Sequence, residues 1–468
     1  MTIRTRRDRG EVQAGGEVGA AGQEPPPTSA ARSVAARVLA RVWEESAFAA
    51  AALDAELSRL SALDGRDAGL ATELVYGVLR TQVYLEDRIA KLAVSKRWAG
   101  DPAVRAHLLM GAYSLLFLDR VPAFAAVSEA VNAIRAAADD RVGAFANAVL
   151  RRLADEAALG RPTLVDAVVA SAPGWLRGAL RRAIGRAGAS AFLAAGPVPP
   201  PLGLCLSPEE DREAWVARLL EASPNATIEA GRASPRAILV RGAGDLRRLP
   251  GFGTAWLGQE EGAQTVALLL GARPGERVLD ACAGRGNKTW LLSRQVGSGG
   301  AVDAADIHPN KLRVAMSAGA RATYGVDWSG GTGDVPEGYD RVLVDAPCSG
   351  VGTLRRRPEI GLRREEHDLE RLSALQVTIA RHAATRTRDG GRMVFAVCSV
   401  LREECEAVVE RLSGTPGPGE PAVKLTPTPF DAAEATALGI AEGASGVRLL
   451  PHVHGTDGYF AAMFVVHH

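Results

Sequence analysis

Val342-Leu343-Val344-Asp345-Ala346-Pro347-Cys348-Ser349-Gly350 is a short Val-rich run that breaks into a polar tip carrying an acid and a cysteine. Further along, Met393-Val394-Phe395-Ala396-Val397-Cys398-Ser399 repeats the design. Short runs that are apolar throughout and bounded by turn residues read as parallel strands buried on both faces. In an open α/β sheet, ligands sit outside the carboxyl ends of the strands. Two such strands in one sheet would bring Asp345, Cys348 and Cys398 to one cleft.

Upstream, Arg277-Val278-Leu279-Asp280-Ala281-Cys282 is followed by Ala283-Gly284-Arg285-Gly286-Asn287-Lys288-Thr289. This is strand, glycine-rich turn and helix, the opening unit of a Rossmann-like fold. The glycines let backbone approach a ligand, and the helix that follows offers free N–H groups. The next strand, Ala301 to Asp306, ends in an acid about twenty residues on, where a ribose hydroxyl is commonly held. That spacing serves NAD as well, but the third glycine position of G-x-G-x-x-G is Thr289 here. A third run, Thr323-Tyr324-Gly325-Val326-Asp327, again ends in an acid, suited to an adenine amino group. Singly, each Asp is more often a turn residue or a helix cap. Together, acids at three successive strand ends favour S-adenosylmethionine, which has no phosphate and carries a positive sulfonium.

A chain of 468 residues is too long for one ordinary core, so two or three domains are expected. Lys and Arg (55) balance Asp and Glu (54), so overall charge argues neither for nor against nucleic acid. No apolar run approaches the roughly 20 residues that span a membrane, and the basic N-terminus lacks the apolar segment of a secretory signal. The five cysteines (205, 282, 348, 398, 405) are odd in number and have no Cys-x-x-Cys spacing. This argues against a disulfide framework or a zinc site and for a reducing cytoplasm. Cys205 reads as a buried structural thiol. His452 and His454 have a metal-like spacing, but two ligands make no site, and no metal is expected.

Residues 1–30 mix Arg, Gly and Glu with Pro25-Pro26-Pro27 and read as a disordered leader. From Ala31, apolar residues recur at helical spacing (Val34, Val38, Leu39, Val42), and similar periods continue to Leu153. By periodicity this is simply a helical bundle. Helix continues from there to the proline-rich break Pro197 to Pro201, after which short apolar runs flank a helix near Trp215.

Glu73-Leu74-Val75-Tyr76-Gly77-Val78-Leu79-Arg80, Ala125 to Val131 and Phe145 to Arg152 resemble the NusB-type RNA-binding domain. That resemblance implies a helical RNA-contacting module, with Arg151 and Arg152 as candidate phosphate contacts. Asp280-x-Cys282-Ala283 with Gly286 and Lys288-Thr289, Asp345 to Gly350, Arg355-Arg356-Arg357-Pro358-Glu359-Ile360, Cys398-Ser399 and Gly455 to Phe460 resemble the RsmB/Sun branch of RNA cytosine-5 methyltransferases. The pair Asp-Ala-Pro-Cys-Ser and Cys-Ser is its most specific element. Departures are Gly284-Arg285-Gly286-Asn287 for the usual Ala-Pro-Gly-Gly, Val397 for Thr, Arg357 for His and Cys405 for Asn. Asn tolerates positive φ better than other non-glycine residues, so Asn287 is expected to preserve the loop geometry, while Arg285 puts a charge beside the cofactor.

The resemblance implies a multidomain protein: a leader (1–30), a NusB-like all-α bundle (31–160), a helical linker (161–200), a small α/β subdomain (201–250) and a Rossmann-like methyltransferase domain (251–468). By the same resemblance Cys398 is the nucleophile, Cys348 assists product release and Asp345 contacts the base. S-adenosyl-L-methionine would be held by Cys282, Ala283, Gly284, Arg285, Gly286, Asn287, Lys288, Asp306, Asp327 and Asp345. The implied partner is RNA, above all 16S ribosomal RNA, met by a monomer in the cytoplasm. Arg355, Arg356 and Arg357, with Arg363 and Arg364, form a basic cluster able to hold RNA backbone. Two rival classes remain: a non-catalytic RNA-binding or assembly factor with a degenerate cofactor loop, and a methyltransferase acting on DNA or protein.

Overall fold

Apolar residues at three- and four-residue intervals place six helices in the N-terminal part of the computed structural model, which describes residues 29–59, 64–93, 97–439, 441 and 443–468. The expected leader lies outside these residues except for Ser29 and Ala30, and Ala30 already begins a helix. The six are α1 (Ala30–Glu44), α2 (Ala49–Arg59), α3 (Gly65–Leu92), α4 (Pro102–Phe117), α5 (Ala123–Ala137) and α6 (Asp140–Leu159). Several starts are capped by a side-chain carboxylate that satisfies an otherwise unpaired N–H: Asp64 for Asp67, Asp101 for Ala103 and Val104, and Asp139 for Val142. Helix α4 is apolar almost all round and is the buried axis of the bundle, in contact with α1, α3, α5 and α6.

The stretch expected as a linker forms α7 (Leu164–Ser171) and α8 (Gly174–Ala194), the latter broken at Ile184 and Gly185, where Gly185 takes a positive φ of 73°. These helices are not a free tether. Leu176, Leu180, Phe192 and Leu193 pack on Val351, Leu369, Val400 and Leu401, next to both cysteine loops.

A four-stranded antiparallel sheet follows, built from β1 (Leu202–Leu206), β2 (Thr227–Ala230), β3 (Ala237–Arg241) and β4 (Trp256–Gly258), in the order β2-β3-β1-β4 with α9 (Arg212–Ala222) between β1 and β2. Strand β4 lies beyond residue 250, where the sequence reading ended this unit, because the open edge of β1 pairs with it through Cys205 and Leu257. Cys205 is fully buried.

The large sheet begins after α10 (Glu261–Leu269). Its strands are β5 (Arg277–Asp280), β6 (Ala301–Asp306), β7 (Ala322–Gly325), β8 (Tyr339–Asp345), β9 (Thr387–Val397), β10 (Lys424–Pro427), β11 (Gly446–Leu449) and β12 (Tyr459–His467). The helices between them are α11 (Asn287–Val296), α12 (Pro309–Ser317), the single turn α13 (Ile360–Arg363), α14 (His367–Ala384), α15 (Glu406–Ser413), α16 (Ala432–Ala437) and the single turn α17 (Pro451–His454). The strand order is β7-β6-β5-β8-β9-β12, with β10 and β11 both on the far side of β12. Strands β5 to β9 are parallel, and β12 runs antiparallel to β9. The chain winds outward from β5 to β7, then returns to lay β8 on the other side of β5. The reversal leaves a crevice at the carboxyl ends of β5 and β8, where doubly wound sheets bind ligands. Asp280 pairs with Leu343 and Asp345 with Ala396, so the tips of β5, β8 and β9 reach the crevice together.

Candidate active site

The apolar parts of β8 (residues 342–344) and β9 (residues 393–397) are fully buried, and each strand ends where its sequence turns polar. Beyond those ends the two loops face each other, with Cys348 Sγ 3.3 Å from Cys398 Sγ. The residue after each cysteine points inward to a single acid. Glu404, wholly buried, accepts hydrogen bonds from Ser349 N (2.7 Å) and Ser349 Oγ (2.5 Å), and from Ser399 Oγ (2.6 Å). Gln376 of α14 donates Nε2 to Glu404 (3.1 Å) and to the Pro347 carbonyl (3.0 Å). The contact with Cys398 and burial both push the Cys348 thiol well above the usual cysteine range.

Lys288, from the first turn of α11, donates to Asp345 Oδ2 at 2.5 Å. Burial works to lower its pKa, but the charge and hydrogen bond of Asp345, with Asp280 and Cys398 behind them, more than offset this and raise it. A fixed positive charge therefore stands between the acid of one strand tip and the cysteine of the next. Asp280, fully buried at the end of β5, accepts from Thr289 Oγ1 at 2.7 Å, and burial pushes its carboxyl up to about 6.

Next to the cysteines is a cleft of about 390 Å³ lined by Cys282, Gly284, Asp306, Asp327 and Asp345, with Ile307, Trp328, Pro347, Leu375 and Ile379 as its apolar walls. Of the acids expected at three successive strand ends, Asp306 and Asp327 line this cleft, joined by Asp345, whereas Asp280 is fully buried and is not part of the lining. Asp306 accepts from Gly284 N (2.9 Å) and His308 N (2.8 Å), and exposed Asp327 accepts from Ser329 N and Oγ. This lining fits S-adenosylmethionine. Carboxylates face a ligand carrying two positive groups, and Ile307 and Trp328 offer apolar surface to a ring.

The glycine loop is used differently from the sequence expectation. Gly284 (φ 57°) borders the cleft with open space where a Cβ would point. Gly286 (φ 84°) instead packs on α12: a Cβ there would sit 2.7 Å from Ala315 Cα. Asn287 needs no positive φ, because it is the first residue of α11. Arg285 is exposed, and Ala283, Arg285, Gly286 and Asn287 are not among the residues lining the cleft.

The arginine cluster is largely turned inward. Arg355 is buried, donating to the Gly455 carbonyl and lying 3.6 Å from Asp457. Arg356 pairs with Asp457 at 2.8 Å and donates to the Pro201 carbonyl. Arg363 donates to the carbonyls of Val42 and Ala47 in the helical bundle. Arg364 donates to the Ser349 carbonyl. Arg357 is the exposed one, over the ring of Phe48. Arg151 and Arg152 are both exposed on α6, their guanidinium groups bonded to Asn147 Oδ1 and the Leu92 carbonyl. His454 Nδ1 accepts from Leu450 N, and no group of three or more metal-ligating side chains occurs among the described residues. No helix among them is long and apolar enough to cross a membrane.

Several residues of the site escaped the sequence reading. Glu404 sits in Arg402-Glu403-Glu404-Cys405, where nothing local distinguishes it from Glu403, which is half-buried. Ile307 was findable, as an apolar residue directly after the acid of a strand tip that the structure leaves 55% exposed.

A doubly wound sheet closed by an antiparallel last strand, with acids and opposed cysteines above its switch point, defines a Rossmann-like methyltransferase, here joined to an N-terminal helical bundle. Residues 267–465 match the family described as 16S rRNA methyltransferase RsmB/F, and residues 29–155 match the NusB family. The ribosomal RNA small subunit methyltransferase B of Pseudomonas putida is 34% identical over 451 residues, covering 93% of this chain and 98% of that protein. The protein of the same name from Erwinia tasmaniensis is 29% identical over 446 residues, with 93% and 98% covered. Among solved structures, that of PH0851 superposes with a TM-score of 0.74 at 21% identity, over 94% of this chain and 99% of that one. The chain belongs to the RsmB/F family of 16S rRNA methyltransferases, with a NusB domain at its N-terminal side.

Proposed function

We propose that this protein methylates carbon 5 of a cytidine in 16S ribosomal RNA through a covalent adduct with Cys398. The observation that carries the proposal is the pair of cysteines 3.3 Å apart, on adjacent strand tips beside a Lys288–Asp345 ion pair and an acidic cleft.

Carbon 5 of cytosine is a poor nucleophile on its own. Cys398 as thiolate forms a bond to carbon 6, and the ring electrons displaced by that addition make carbon 5 nucleophilic. The Lys288 ammonium stabilises the Asp345 carboxylate with which it pairs. Asp345 accepts a hydrogen bond from the exocyclic amine of the base, which selects cytosine. S-adenosylmethionine, when bound in the cleft by Asp306, Asp327 and the Gly284 backbone, supplies an electrophilic methyl on a positive sulfur. Once carbon 5 carries the methyl, water takes its proton, the freed electron pair re-forms the ring double bond and Cys398 leaves carbon 6 as thiolate, a release that Cys348 assists. The base must be unpaired or flipped to be reached. Exposed Arg151, Arg152 and Arg357 are the phosphate contacts we favour. The enzyme acts as a monomer in the cytoplasm.

Transfer of labelled methyl to ribosomal RNA tests this. Label should appear as 5-methylcytidine and vanish in Cys398→Ala, and Cys348→Ala should accumulate a covalent protein–RNA complex. Failure of the folded wild type to label any RNA would sink the proposal in favour of a non-catalytic RNA-binding factor.

A further inference from the structure

The geometry points to Glu404 as a positioning residue that sets the spacing between the two cysteines and so governs release of the product. The inference rests on the cysteine chemistry proposed above and adds to it the group that keeps the second cysteine in place.

Cys348 and Cys398 are carried by separate strands, and the loops bearing them need something to fix one against the other. Gly352 N, donating to the Cys398 carbonyl at 3.0 Å, is one tie, and Glu404 is the one that meets the residue beside each cysteine. One oxygen accepts Ser349 N and Gln376 Nε2, and the other accepts both Ser349 Oγ and Ser399 Oγ. Each serine is the direct neighbour of a cysteine. Four donors on one fully buried acid suit a carboxylate, which only accepts. A backbone N–H is among them, so the hold is on the path of the loop as well as on a side chain. Without the carboxylate, Ser349 N and two buried hydroxyls lose their acceptor, and groups in that position rearrange rather than stay unpaired. The rearrangement falls on the Cys348 loop. Glu404 bonds that loop at both main chain and side chain, but bonds the Cys398 loop at a hydroxyl alone. Addition to the base is therefore the less affected step and release the more affected one.

The test measures the share of enzyme caught covalently on RNA against the yield of 5-methylcytidine, with wild type and Cys348→Ala as references. Glu404→Ala should slow turnover on the order of 100-fold, the usual effect of a misplacement near 1 Å. Its covalent fraction should rise toward that of Cys348→Ala. Glu404→Gln should recover much of the loss, because its oxygen can still accept Ser349 N while its amide donates to hydroxyls able to accept. A covalent fraction that stays at the wild-type level while turnover falls would make Glu404 merely structural and overturn the inference. Should Glu404→Ala fail to fold, Ser349→Ala, which removes one of the bonds that hold the Cys348 loop, carries the same comparison: a raised covalent fraction supports the inference and an unchanged one refutes it. If Cys348→Ala itself forms no adduct and Cys398→Ala still methylates, the cysteine chemistry has failed, and the role assigned to Glu404 falls with it. If Cys348→Ala traps RNA and neither Glu404 nor Ser349 variants do, this inference alone has failed.

Discussion

Glu260 shows how a single side chain near the site couples the fold to pH. It accepts the Asp457 and Ala263 N–H groups, and burial first, with the charge of Asp457 second, raises its carboxyl from 4.5 to about 7. The folded protein thus keeps a proton that the unfolded chain has already released. Glu260's contribution to stability is full below about pH 4.5 and is lost as pH rises through about 7. Thermal melts should show a smaller fall in Tm between about pH 5 and pH 8 for Glu260→Gln than for wild type; equal falls would mean that Glu260 does not titrate in this window. Neither this acid nor Glu404 could be singled out from sequence. Burial of a carboxylate depends on chain segments far away, here Asp457 for Glu260 and Ser349 for Glu404. Asp345, Cys348 and Cys398 were legible because they end apolar runs, and a strand tip is a place that sequence can specify.

At the scale of elements, the glycine loop separates two jobs that the sequence merged. Gly286→Ala would force a left-handed residue and drive a Cβ into α12 at Ala315, so it should cost on the order of 2–4 kcal/mol in unfolding free energy. Cofactor affinity of the remaining folded protein should be little changed. Gly284→Ala has open space around its Cβ and should cost less, about 1–2 kcal/mol, while weakening cofactor binding at the cleft wall. Denaturant titration and cofactor titration on both variants check this, and the reverse ordering would show the roles misassigned. The buried strands β5, β6, β8 and β9 were readable from their apolar runs. Short strands such as β2, with one buried residue in four, and β4, with three residues, carry too little pattern to stand out, and their pairing partners decide them.

For the whole molecule, the seam between the helical bundle and the catalytic region lies at residues 355–363. Arg363 reaches the Val42 and Ala47 carbonyls, Glu359 accepts Ala49 N at 3.1 Å, and Arg80 donates to the Arg355 carbonyl at 3.0 Å. Sequence showed a basic cluster and suggested phosphate, because charge counts do not reveal which carbonyls a guanidinium will meet. Arg363→Ala should leave buried carbonyls unpaired at a cost of about 1–3 kcal/mol. Hydrogen exchange should then quicken at the start of α2, around Ala49, ahead of the strands of the large sheet; unchanged protection there would show that the seam does not depend on Arg363. The joint has a bearing on how the two halves can change over time. On the bundle side it is met by Val42, Ala47 and Ala49 through their main chain, which any residue other than proline supplies equally well. Side-chain identity is demanded on the catalytic side at Glu359 and Arg363, and on the bundle side at Arg80. Substitutions can therefore accumulate across much of that bundle face, Arg80 apart, without parting the two halves, while the sockets they meet stay fixed.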